Sequence, residues 1–416
     1  MKLKTKIIVD RFIGNIIAYF LNFSARILGF CLRINHSLGK PFKTIVVSKF
    51  IGLGSIIQST PLLQTLRKKY PESKIIFVTG DDNVELLKHI DAVNEVITIS
   101  DKTFLSLLTS TISLLLKLWR RRIDLYIDLE IYSNYSSIVT TLSCATNRFG
   151  FFKSDKNYRT GLYTHMMYFN VNSPVSEIYL QFARLIGCAE IITNLMQLKI
   201  KEHDQSLMRE KILKTTGINL NSSYCIINPN ASDLRIERRW DAENYSLLIK
   251  KIIAEKPQLT IVLIGNKKES QYVYEIIQKA GVKEKVVDSS GKLTLSELIY
   301  LIDKCSMMIT NDSGPMHIAF SIRKKTVALF GPCSPTHYGF NEYCFPVYKK
   351  VYCSPCVHDF ITPPCKGDNQ CMKKITVDEV FKTIEVAFQN GVAIYRQEEL
   401  IYTDNNNIPL GVILRQ

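Results

Sequence analysis

The sequence predicts an α/β protein made of two doubly wound halves, and three observations predict it. Strand-like and helix-like segments alternate from Lys43 to Leu142. The alternation restarts at Tyr224 and runs to Phe330. In each half one strand runs straight into small residues that open a helix, at Gly52-Leu53-Gly54-Ser55 and at Asn311-Asp312-Ser313-Gly314-Pro315. Strands that alternate with helices imply parallel pairing through helical crossovers.

Residues 1–42 read as a basic amphipathic segment. Phe12, Ile13, Ile16, Ile17, Phe20 and Leu21 recur at helical spacing among Lys2, Lys4, Lys6, Arg11, Arg26 and Arg33. A signal peptide would show a shorter unbroken apolar core and a small-residue cleavage site. Asn15, Asn22 and Arg26 interrupt a membrane span. Two readings stay open: an interfacial helix on anionic lipid, and a helix packed on the protein's own surface.

The first half, residues 43–205, starts with a strand at 43–48, Thr-Ile-Val-Val in its middle, and continues into a helix over 56–70 bent by Pro61. Strands at 74–79, 95–99 and 124–129 alternate with helices at 84–90, 104–118 and 135–142. The stretch 191–220 reads as the join. The second half, residues 206–390, has strands at 224–228, 259–264, 286–288, 307–310 and 326–330. Helices at 244–255, 271–280, 295–302 and 315–322 lie between them. Residues 391–416 read as a polar tail with one apolar, strand-like end.

Composition narrows the function class. The chain has 416 residues, 46% hydrophobic, enough for two cores. A net charge of +15 favours anionic partners. The basic clusters are short, such as Arg120-Arg121-Arg122, so no nucleic acid is expected. Eleven cysteines, an odd number in a long chain, fit a reducing compartment better than a disulfide scaffold.

Four constellations carry chemistry. Gly52 and Gly54 permit a tight turn and close approach of a ligand to the backbone, and the helix start attracts anions. Their spacing lacks the third glycine of a dinucleotide fingerprint. At the second turn Asp312 or Ser313 is expected to cap the helix, Pro315 sits in its first turn, and His317 lies about one turn in. Free N–H groups there suit a diphosphate. Asn228 ends a strand, and Arg238-Arg239 follow before Trp240; arginine suits diphosphate oxygens. Cys353, Cys356, Cys365 and Cys371 fall within 19 residues. They read either as a tetrahedral zinc set or as free thiols.

Taken together these residues resemble glycosyltransferase family 9, the lipopolysaccharide heptosyltransferases. The N-terminal match runs from Ile45-Val46-Val47 through Gly52-Leu53-Gly54-Ser55 to Thr60-Pro61-Leu62-Leu63. The C-terminal match is Asn228-Pro229, Arg238-Arg239-Trp240, Thr310 to His317, and Leu329-Phe330-Gly331-Pro332. The resemblance implies a GT-B architecture, two Rossmann-like domains facing a cleft. It implies a nucleotide-sugar donor such as ADP-heptose on the C-terminal half. The acceptor, a lipopolysaccharide core or other lipid-linked glycan, would meet the N-terminal half at the inner face of the cytoplasmic membrane. Donor binding falls to Asn228, Arg238, Arg239, Asn311, Asp312, Ser313, Gly314, Pro315 and His317. Such transfer inverts the anomeric carbon and needs neither metal nor cofactor, because cationic side chains and a helix dipole stabilise the leaving diphosphate.

One departure matters. The family carries an aspartate after the first turn, taken as the general base, where this chain has Ser55. A serine cannot deprotonate a sugar hydroxyl unaided, whereas a carboxylate in reach can. Asp128 and Glu130, at the end of a strand of the same sheet, are the expected substitutes, Glu130 foremost. The competing readings are a sugar-nucleotide epimerase and a binding protein that has lost catalysis.

Overall fold

The computed structural model describes residues 3–152, 157–200, 202–231, 235–357, 360, 363–389, 392–395, 400–403 and 409–413. The chain divides into two compact units, Met1–Asn170 with Val175–Met196, and Val171–Pro174 with Gln197–Gln416.

The N-terminal unit opens with helix α1 (Leu3–Leu32) and is built on strands β1 (Thr44–Ser48), β2 (Lys74–Gly80), β3 (Glu95–Ile99), β4 (Leu125–Asp128), β5 (Asn147–Phe152) and β6 (His165–Tyr168). They pair in parallel in the order β3-β2-β1-β4-β5-β6. Helices α2 (Leu53–Gln58), α3 (Thr60–Lys69), α4 (Val84–Leu87), α5 (Phe104–Trp119), α6 (Asn134–Leu142) and α7 (Val175–Leu185) surround the sheet. Parallel strands buried on both faces read as continuous apolar runs. Ile45, Val46 and Val47 in β1 are all fully buried.

The helix expected over 56–70 is two helices that meet at Ser59. Pro61 has no N–H for the Ile57 carbonyl, and the Thr60 hydroxyl donates to that oxygen instead, at 2.6 Å. β5, β6 and α7 lie beyond the elements read from sequence.

The C-terminal unit repeats the plan. Helix α8 (Glu202–Thr216), within the expected join, leads into β7 (Tyr224–Asn228), β8 (Thr260–Leu263), β9 (Val286–Asp288), β10 (Met307–Asn311), β11 (Thr326–Phe330) and β12 (Cys344–Tyr348). Their order is β12-β11-β10-β7-β8-β9. Counted within the unit this is the order of the N-terminal sheet. Helices α9 (Ala242–Glu255), α10 (Ser270–Ala280), α11 (Leu295–Lys304), α12 (Gly314–Ser321), α13 (Pro335–Tyr338), α14 (Gln370–Lys373) and α15 (Val377–Phe388) complete it. β12 carries Pro346, which is tolerated because the strand is at a sheet edge. The core gathers Trp240, Tyr245, Ile261, Ile309 and Phe381. Trp240 donates its indole N–H to the Ile375 carbonyl at 3.0 Å.

The segment read as a polar tail contains a three-stranded antiparallel sheet, β13 (Val392–Tyr395), β14 (Leu400–Thr403) and β15 (Pro409–Ile413). Its strands are short apolar runs that the polar residues between them mask in a composition reading.

Candidate functional site

In a doubly wound sheet the crevice for a ligand lies at the carboxyl ends of the strands where the order reverses. In the N-terminal unit that point is between β1 and β4, and in the C-terminal unit between β7 and β10. The residues singled out from sequence collect at these two places.

At the N-terminal switch point Ser48 and Asp128 are register partners, and the Ser48 hydroxyl donates to Asp128 at 3.3 Å. Asp128 also accepts from the Ser136 hydroxyl, from Tyr163 at 2.6 Å and from the Glu130 N–H at 2.9 Å. It is completely buried. Burial pushes its carboxyl above the ordinary range, and these hydrogen bonds offset only part of that. The expectation that Asp128 could act as a base needs correcting on this geometry. A carboxylate with no exposed surface and four protein donors has no face for a sugar hydroxyl.

Glu130 is placed differently. Its Oε1 accepts from the N–H groups of Phe50 at 2.9 Å and Ile51 at 3.1 Å. Its Oε2 accepts from Lys49 Nζ at 2.8 Å. Burial opposes the Lys49 charge, but Glu130, together with Tyr179 and Asp128, more than offsets it and the ammonium pKa is raised. The carboxylate thus holds the loop that enters α2. Gly52 takes φ 97° at the start of that helix, a backbone region that favours glycine, and Gly54 is buried behind it. Ser55 is half-buried and hydrogen-bonded to the Tyr179 hydroxyl. Lys49, Tyr163 and Tyr179 were not legible as site residues. Lys49 is an ordinary lysine in sequence, and the tyrosines arrive from far along the chain.

At the C-terminal switch point Asn228 and Thr310 are register partners. The Asn228 amide donates to Thr310 Oγ1 at 3.0 Å and to Ser313 Oγ at 2.8 Å. Asn311 donates to the Pro229 carbonyl at 2.8 Å and accepts from the Tyr245 hydroxyl at 2.9 Å. Ser313 is the residue before α12, but its side chain does not cap the helix, and neither does Asp312. The expected cap is therefore absent: the serine hydroxyl is held by Asn228, and Asp312 Oδ2 lies 3.5 Å from Arg238 Nη1. Gly314 and Pro315 form the first turn of α12. A proline there removes one donor that would be orphaned in any case.

Arg238 is stacked over the Tyr338 ring at 5.7 Å, and Arg239 over the Tyr272 ring at 4.5 Å. Arg239 also reaches Glu269 at 3.9 Å. His317 is buried on α12, its pKa lowered to about 4 by burial, with Arg238 adding to the effect and Asp312 opposing it. His337 donates from Nδ1 to the Ser173 carbonyl at 2.6 Å, and burial lowers its pKa to about 4. Both rings are neutral at pH 7. The tyrosine platforms and His337 were missed in sequence, since no local pattern points to them.

The four cysteines read as a metal set or as free thiols share one cavity of about 100 Å³, lined also by Glu237 and Tyr352. Burial pushes the Cys371 thiol up to about 11. Among the described residues no three His, Cys, Asp or Glu side chains are placed to hold a metal ion.

A family model described as glycosyltransferase family 9 (heptosyltransferase) matches residues 112–373. The chain belongs to this family. It is a glycosyltransferase. Among family 9 relatives it is 26% identical over 347 residues to lipooligosaccharide heptosyltransferase 2 of Campylobacter jejuni, covering 82% of this chain and 96% of that one. It is 24% identical over 299 residues to lipopolysaccharide heptosyltransferase 1 of Campylobacter coli, covering 69% and 83%. A family 9 glycosyltransferase structure from Veillonella parvula superposes with a TM-score of 0.68 at 21% identity, over 85% of this chain and 99% of that one. Escherichia coli ADP-heptose lipopolysaccharide heptosyltransferase II gives 0.66 at 21% identity, over 83% and 98%. The two Rossmann-like domains of the GT-B class follow from sheets and neighbours alike.

Proposed function

We propose that this family 9 enzyme transfers heptose from ADP-heptose to a lipopolysaccharide core or other lipid-linked glycan, with inversion at the anomeric carbon. The observation that carries this reading is Arg238 held against Asp312 at the ends of β7 and β10, beside the opening of α12. Charge develops on the leaving diphosphate, and preorganised cations and helix N–H groups stabilise it most when fixed in advance. Asp312 and Tyr338 fix Arg238; Glu269 and Tyr272 fix Arg239. Asn228 and Asn311 brace the turn that carries Ser313. His317 serves as a neutral hydrogen-bonding ring rather than as a cation. A lipid-linked acceptor places the reaction at the cytoplasmic face of the inner membrane.

For the proton we assign Glu130. Its Oε2 faces Lys49 Nζ at 2.8 Å and retains a lone pair beyond that contact. Ser55, at the family's aspartate position, positions rather than accepts. Glu130→Gln is expected to lower kcat by roughly 10²–10⁴-fold, while ADP-heptose affinity, measured by calorimetry, stays unchanged. Unaltered turnover would remove Glu130 from the mechanism. Donor binding without transfer in the unaltered enzyme would make it a binding protein instead.

A further inference from the structure

In the N-terminal unit α1 and α5 lie along two different stripes of α6. Asn134 and Ile138 meet α1. Tyr135 bonds Thr111 of α5 at 2.6 Å, and the Leu142 carbonyl accepts from the Trp119 indole at 2.7 Å. α1 is attached by its small and polar side chains. The Asp10 carboxylate accepts from the N–H groups of Asn134 and Tyr135, at 2.9 and 2.6 Å, and so caps α6. A Cβ on Gly14 would come within 2.8 Å of Asn134, and Ala18 is fully buried. Asn22 packs on Gly161.

The large side chains of α1 are left outside. Phe12, Ile16, Phe20, Phe23, Ile27 and Phe30 are exposed, Phe30 to 84%. α5 does the same with its second face. Leu114, Leu115 and Leu118 are buried, while Leu105, Leu108, Ile112 and Leu116, one helical stripe, are exposed with Trp119. A helix of a soluble protein turns such stripes inward, and contiguous apolar surface marks an interaction site. Charge identifies the occupant. Across α1 and α5, Lys4, Lys6, Arg11, Arg26 and Lys117 stand against a single acid, Asp10, which is engaged with α6.

We propose that α1 and α5 form one docking surface for an anionic lipid bilayer, with α1 lying in the interface. By length and composition Val9–Leu32 could cross a membrane. Crossing would strip Asp10, Gly14, Ala18 and Asn22 from their partners over most of that length. The inference rests on surface chemistry, independent of the reaction proposed above.

The chain has two tryptophans, exposed Trp119 on α5 and buried Trp240 in the other unit. Full-length protein is mixed with vesicles of phosphatidylethanolamine and phosphatidylglycerol, or of phosphatidylcholine alone. Expected are co-sedimentation about tenfold stronger on the anionic vesicles, and quenching of Trp119 by brominated lipid that Trp119→Phe abolishes. Leu108→Glu with Ile112→Glu, both at exposed positions, is expected to weaken sedimentation about tenfold with circular dichroism unchanged. Three results overturn the proposal: equal binding to phosphatidylcholine, bound protein with Trp119 unquenched, or a solution dimer that the Leu108 and Ile112 changes dissociate. Failure of heptose transfer leaves all of these readings intact.

Discussion

In the N-terminal unit the pair that closes the switch point is Ser48 and Asp128; in the C-terminal unit it is Asn228 and Thr310. The strand order is the same, and so is the register position. The chemistry is opposite. The first unit gathers two carboxylates with one lysine, Asp128 and Glu130 with Lys49. The second gathers two arginines, Arg238 against Asp312 and Arg239 against Glu269. Topology decides where a polar cluster can form, because only strand ends at the reversal leave a crevice. Side chains then decide its sign, and sign decides whether it draws a proton or a diphosphate.

The sharpest way to break this comparison is to remove the counter-charge. Asp312→Ala leaves Arg238 largely buried without its carboxylate, and should cost about 3–5 kcal/mol. It should show as a lower urea midpoint together with weaker ADP-heptose binding. A loss well under 1 kcal/mol would mean that the arginine is not held by charge, and the contrast between the units would fall.

A second test uses acid. His317 and His337 have folded pKa values of about 4, below about 6.5 in an unfolded chain. The unfolded state therefore binds more protons between those values, and the C-terminal unit loses stability as pH falls through the window, by roughly 2–3 kcal/mol per ring. Asp128 acts in the other sense, since its folded pKa is raised and acid relieves its burial. Melting temperatures of His317→Asn and His337→Asn between pH 4.5 and 7 should show a flatter acid limb than the unaltered protein. Parallel curves would rule out the histidines as its source.

The smallest effect sharpens the N-terminal side. Asp10→Ala removes the cap of α6 and should cost about 1 kcal/mol, visible as a lower melting temperature with donor affinity unchanged. No change in melting would show that Ser133, which also accepts from the Ser136 N–H at 3.2 Å, carries the cap alone.

The parts of this molecule legible in sequence are those whose signal is local. The alternation of apolar strands and amphipathic helices located nine of the twelve strands in the two parallel sheets, because buried parallel strands are short apolar runs. β5, with Gly150 inside it, β6, His-Met-Met-Tyr, and β12, with Pro346 inside it, have no such unbroken run. Asn311 to His317 stood out because a strand end, small polar residues and a proline-led helix lie within seven positions. The platforms under the arginines, Tyr338 and Tyr272, lie tens of residues away and reach the site only through the fold. Asp128 was legible as a strand-end carboxylate but not as a buried one, since its burial comes from Ser136 and Tyr163. α1 misleads for a different reason. Its periodicity is helical, yet the stripe it buries is the small and polar one.

That inverted attachment has a consequence for how the enzyme can be taken apart. Glu130 precedes the start of α6 by four residues, and Asp10 of α1 grips that start at Asn134 and Tyr135. The lipid-facing helix and the assigned base are thus joined by one short mechanical linkage. Trimming the N-terminus to gain solubility would loosen the segment that carries Glu130. The anchor and the catalyst are not separable modules.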